Sequence, residues 1–269
     1  MKNLLVIFFL LACITTQAAK VDSVDTYSNA MKKTIKAVVI TPDNYADKTD
    51  WPVVYLLHGH GGGFNNWVKN VKYIQQAADQ LQMMIVCPDG GVSSWYWDSP
   101  EDPTWKYETY VADELVKFVD AKYKTRKDAK GRGITGLSMG GHGALYLAFK
   151  HQDVFGAAGS MSGGVDIRPY PNNWNMSKRL GTLAAQPERW DKYTVINMLH
   201  LLTPNSLALI IDCGTEDFFY KVNENLHKEL LYRGIPHDYY TRPGGHSWDY
   251  WSNSVQYQLL FMHNFFDRK

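Results

Sequence analysis

The sequence predicts an α/β protein, a doubly wound and mostly parallel sheet with helices on both faces. Three observations carry this. Short, almost continuously apolar runs recur and end in Gly or Asp turns; strands of that kind are buried on both faces, as in a parallel sheet. Stretches of helical period alternate with them, as βαβ units require. One strand-to-helix junction, "ITGLSMGGHGALYLAF" (134–149), sets a serine among glycines, and in such sheets ligands bind beyond the carboxyl ends of the strands.

The chain has 269 residues, and its first 18, "MKNLLVIFFLLACITTQA", hold one Lys, an apolar run and then small residues. They read as a secretory signal peptide, too short to span a membrane, with a cleavage site at Thr16-Gln17-Ala18. A lipoprotein signal at Cys13 is the second reading, set back because Leu11 fits that pattern poorly. The expected location is secreted or periplasmic. Residues 19–269 suit one large α/β domain. Without the signal, basic and acidic residues balance, so no charge footprint marks a nucleic acid or an anionic membrane as partner. No later run reaches transmembrane length.

Along that domain the expected strands are 34–42, 51–59, 81–91, 131–138, 154–164, 206–217 and 235–242. "YETYVADELVKFVDAKY" (107–123) is expected to be helical, with Val111, Leu115, Phe118 and Val119 on one face. "FFYKVNENLHKELLYRG" (218–234) is the second expected helix and stops at Gly234. Cys87 and Cys213 close apolar strand runs and read as unpaired core thiols.

Gly136-Leu137-Ser138-Met139-Gly140 is a G-x-S-x-G match. By composition such a match arises by chance in roughly one chain of this length in ten, so its context decides. Here it joins a strand to a helix, as a nucleophile elbow requires. The serine must project from a strained turn above the sheet. Side chains two residues before and after it would collide, hence Gly136 and Gly140. Gly141, Gly143 and Ala144 let the helix approach the sheet, and its positive N-terminus points at the serine.

The other parts of an acyl-transfer site follow. "LLHGHGGG" (56–63) ends an earlier strand; with the Met139 amide, the His60 amide is the expected oxyanion donor. A metal reading of His58 and His60 lacks further ligands, and a phosphate reading lacks a Lys after the glycines. The hydrolase order is Ser, then acid, then His. His246 in "RPGGHSWDYW" is the candidate base, His237 reads as structural, and His142 on the elbow helix is a candidate cleft residue. For the acid, Asp217 is favoured by its place after the Gly turn, with Glu216 and Asp212 left open.

Together "VVYLLHGHGG", "SWYWDSP", "ETY", "GLSMGGHGAL", "DCGTEDFFY" and "PGGHSWDYW" resemble the esterase D group. That group holds S-formylglutathione hydrolases, feruloyl and acetylxylan esterases of carbohydrate esterase family one, tributyrin esterases and mycolyltransferases. The resemblance runs from about Val24 to the C-terminus. It implies an α/β-hydrolase fold and a serine esterase with Ser138, Asp217 and His246 as triad. It also implies the His60 and Met139 amides as oxyanion hole, without metal or cofactor. The expected partner is a small-molecule or polysaccharide-linked ester. Export with this resemblance points to feruloyl or acetyl esters of plant polysaccharide. A broad short-chain esterase and an S-formylglutathione hydrolase-like thioesterase are the alternatives. A serine peptidase would need an additional large domain, and a binding module on this fold would lack part of the triad. The aromatic tract 93–110, with Trp95 and Trp97, and the segment 165–190, with Trp174, are the expected substrate walls; each has the alternative of packing on its own rings.

Overall fold

The computed structural model describes residues 18–268. The expected signal peptide, Cys13 included, lies outside the described residues except for Ala18.

Eight strands, β1 (Lys20–Ser28), β2 (Lys33–Thr41), β3 (Val53–Leu57), β4 (Met84–Pro88), β5 (Arg132–Gly136), β6 (Ala157–Met161), β7 (Ala208–Gly214) and β8 (Asp238–Arg242), form one sheet. Their order is β1-β2-β4-β3-β5-β6-β7-β8. From β4 to β8 all neighbours are parallel, and β2 runs antiparallel to both β1 and β4. This is the doubly wound, mostly parallel sheet that the apolar runs predict. Every residue of β3, β4, β5 and β6 is buried. Side chains of β3 divide by strand period: Val53, Tyr55 and Leu57 enter one core, Val54 and Leu56 the other.

The winding direction reverses around β3, which lies between β4 and β5. A crevice opens at such a switch point. The loops leaving β3 and β5 carry the "HGHGGG" run and the serine.

β1 is not among the expected strands. In KVDSVDTYS only Val24, Thr26 and Ser28 are buried, so an edge strand reads as a polar segment. The helix expected over 107–123 is present as Tyr107–Thr109, a π-helical Tyr110–Leu115 and Val116–Lys122. The one expected over 218–234 spans Tyr220–Tyr232, and the chain then turns at Gly234, φ 63°. A 19-residue helix, Trp248–Phe266, closes the fold and buries Tyr250, Trp251, Val255, Leu259, Met262 and Phe266. Cys87 and Cys213 are free and buried, with β3, β5 and β6 between their strands; burial pushes both thiols up. Among the described residues no helix is long and apolar enough to cross a membrane.

Candidate active site

Ser138 sits between β5 and the helix Met139–Lys150 with φ 55° and ψ −119°, a strained conformation for a residue with a side chain. The glycines around it are required by contact. A Cβ on Gly136 would lie 2.7 Å from the Gly140 backbone, and one on Gly140 would lie 2.6 Å from the Leu57 carbonyl oxygen. Gly141 brings the helix against the end of β6, since its Cβ would meet Ser160 Oγ at 2.7 Å. Gly143 serves another end than expected: its Cβ would lie 2.3 Å from Tyr96, so it admits an aromatic ring rather than the sheet.

Ser138 Oγ lies 2.8 Å from His246 Nε2, and His246 Nδ1 lies 2.8 Å from Asp217 Oδ2. With Nδ1 donating to the carboxylate, Nε2 is free to accept from the serine hydroxyl. The second Asp217 oxygen accepts from the Phe219 amide at 2.8 Å. The Asp217 carboxylate is wholly buried, whereas the imidazole is 18% exposed. Of the three acids left open by the sequence, Asp217 alone meets His246. Glu216 faces solvent.

Asp212 does different work. It is fully buried and accepts from the Tyr250 hydroxyl and the Arg242 guanidinium. Desolvation raises its pKa, and these two partners oppose that rise. Arg242 ends β8 and Tyr250 opens the last helix, so Asp212 ties both flanks of the loop that carries His246. The Glu216 amide adds a bond to the Gly244 carbonyl, 3.0 Å, which joins the loops of acid and base.

In the loop after β3 the amides of Gly61, Gly62 and Gly63 are all held by protein acceptors. Gly61 N donates to Val92 O at 2.9 Å, Gly62 N to Gly59 O at 3.1 Å, and Gly63 N to Asn66 Oδ1. The His60 amide has no acceptor among the described residues. Met139 is the first residue of its helix, where amides lack an intrahelical acceptor. His58 Nε2 accepts from Gly90 N at 2.7 Å, and its Nδ1 donates to Gly59 O at 2.8 Å. Both ring nitrogens are thus occupied by the loop itself. Among the described residues no three His, Cys, Asp or Glu side chains group as metal ligands would.

A cleft of about 260 Å³ opens beside Ser138, lined by Gly59–Gly62, Asn66, Leu137, Trp174, His246, Trp248 and Trp251. Trp174 stands where expected. Trp95 and Trp97 do not: they are 1% and 0% exposed and line no part of the cleft. The aromatic tract packs on its own rings and on His142, which is wholly buried rather than facing the cleft. His142 Nε2 accepts from Trp97 Nε1 at 2.8 Å, while its Nδ1 donates to Gly164 O at 2.9 Å. Burial lowers its pKa to about 4, so the ring is neutral. The segment 165–190 divides: Trp174 reaches the cleft while Met176, Leu180 and Trp190 enter the core. Sequence reasoning missed Trp248 and Trp251 in the cleft. It also missed Phe218, whose ring lies 4.3 Å from that of His246. Their one sequence signal is adjacency to His246 and Asp217.

Comparisons with known proteins place most of the chain among relatives. A 27%-identical solved structure of a ferulic acid esterase superposes with a TM-score of 0.79, covering 92% of this chain and 98% of that one. An acetyl esterase of Caldicellulosiruptor saccharolyticus is 25% identical over 251 residues, 85% of this chain and 92% of its own. An esterase of Mycobacterium tuberculosis is 28% identical over 236 residues, 77% of this chain, but the match spans only 51% of that longer protein. The family model described as "Putative esterase" matches residues 28–262, which is most of the chain: on an α/β-hydrolase fold, this protein belongs to that esterase family.

Proposed function

We propose that the chain is an exported serine carboxylesterase acting through an acyl-enzyme, with feruloyl or acetyl esters of plant polysaccharide as substrates. The observation that carries the reading is the hydrogen-bonded line from Ser138 through His246 to the buried Asp217. The acyl preference is supported by the family and by two relatives that bear the names acetyl esterase and ferulic acid esterase. Export is supported by the signal-like first 18 residues; a mature N-terminus at Ala19 in the culture medium or periplasm is the expected result.

In the proposed reaction His246 Nε2 removes the Ser138 proton as Oγ attacks the ester carbonyl. The amides of Met139 and His60 take the developing oxyanion. His246 returns the proton to the leaving alcohol, and the acyl group stays on Ser138. Water repeats the sequence, frees the acid and restores the serine. Asp217 holds the imidazole in the required tautomer and faces the imidazolium as it forms.

Ser138→Ala should lower kcat on the order of 10⁶-fold, and Asp217→Asn on the order of 10⁴-fold. Full activity in Ser138→Ala ends the reading. Relative kcat/KM on methyl ferulate, acetylated xylan and p-nitrophenyl butyrate tests the substrate class. A preference for the butyrate alone replaces it with a broad short-chain esterase.

A further inference from the structure

Two cleft residues, Trp251 and His60, each hold a buried nitrogen that finds no partner among the described residues, Trp251 Nε1 and His60 Nε2. Folded proteins rarely leave such atoms unpaired. Trp251 is 7% exposed, and an indole N–H can only donate. Its ring meets that of His246 edge-on, with centroids 4.8 Å apart at 86°. On another side of His246, Phe218 is 49% exposed and stacks on Trp174 at 5.7 Å and 19°.

His246 is the group that hands a proton to the leaving alcohol in the proposed reaction. The side chains packed around its ring therefore border the alcohol half of the ester. An open aromatic face beside unpaired hydrogen-bonding atoms suits a hydroxylated ring, whose C–H faces cover the aromatics while its hydroxyls meet the polar atoms.

We propose that Trp251 is a specificity-determining residue, whose indole N–H donates to a hydroxyl oxygen of a sugar-type alcohol seated against Trp174 and Phe218. The His60 imidazole supplies a second polar contact to that alcohol. The proposal rests on the serine-esterase reading of the site.

The test compares two esters of one acyl group, an acetylated methyl xyloside and ethyl acetate, on the purified chain. Two variants are used: Trp251→Phe, and Trp251→benzothienylalanine, which keeps the indole shape but replaces N–H by sulfur. In both, the ratio of kcat/KM for the sugar ester to that for ethyl acetate should fall about tenfold, as expected for one lost hydrogen bond. An unchanged ratio overturns the proposal. Equal losses on both esters also overturn it, and would make Trp251 a support for His246 instead. A wild-type chain that cuts neither ester, or a fully active Ser138→Ala, removes the esterase reading itself and the proposal with it.

Discussion

Two aromatic groups flank the serine elbow. Trp95, Tyr96 and Trp97 surround His142 on the helix that follows it, while Trp174, Phe218, Trp248 and Trp251 gather about the cleft and His246. In sequence they look alike, and both use costly backbone: Trp95 and Tyr96 have φ of 53° and 61°, and Trp174 has 49°. What separates them is the chain opposite. Tyr96 is wedged against Gly90 and Gly143, and Trp95 against Gly164. No glycine has Trp174, Phe218, Trp248 or Trp251 among its nearest contacts. Glycine opposite them lets the Trp95 and Tyr96 rings pack into protein, whereas Trp174 and Trp248 have no such neighbour and line the cleft.

The sharpest break of this comparison is a truncation in the buried group. Trp97→Ala should cost about 3–5 kcal/mol of stability, the range for large buried aromatics, because it empties a filled site and removes the donor to His142. Urea denaturation measures it, and a loss below ~1 kcal/mol would mean the block is not core.

Next is the pH dependence of the block. His142 has its folded pKa lowered from 6.5 to about 4, so the unfolded chain binds the proton more tightly. Its contribution to stability is complete above pH 6.5 and is lost as pH falls toward 4, on the order of 3 kcal/mol. His142→Gln should remove that slope; an identical pH–stability curve for wild type and variant would refute a neutral buried imidazole.

Gly143→Ala should cost about 1–3 kcal/mol, since its Cβ would overlap Tyr96. Calorimetry of this variant tests whether the facing glycine matters. The smallest stability effect belongs to the cleft: Trp174→Ala should cost at most about 1 kcal/mol, yet lower kcat/KM several-fold on ring-bearing esters. A variant with unchanged kinetics and a large stability loss would place Trp174 with the buried group.

The parts of the fold built from buried strands were legible because burial on both faces leaves an apolar run. The meeting of Ser138, His246 and Asp217 was legible because each follows a strand beside glycines. β1 was not, since an edge strand with Lys20, Asp22 and Asp25 facing outward carries only Val24 as an apolar buried residue. The helix Trp248–Phe266 was hidden because its first turn reads as a continuation of the His246 loop, although Val255, Leu259, Met262 and Phe266 keep helical spacing. Trp95 and Trp97 were misplaced because ring content says nothing about what lies opposite. Asp212 resembled a catalytic acid because its service to Arg242 and Tyr250 spans 30 and 38 residues.

At the elbow, Gly140 approaches the Leu57 and His58 carbonyl oxygens so closely that a methyl group would sit 2.6 Å and 2.7 Å from them. The Ser138 elbow and the loop after β3 are thereby registered main chain to main chain, with no rotamer between them to adjust. For enzyme engineering this divides the site into a part to leave alone and a part to randomise. On the proposed reading, a library aimed at new esters should hold residues 57–61 and 136–140 fixed and vary Trp174, Phe218 and Trp248, whose replacement changes the cleft wall and leaves that main-chain register in place.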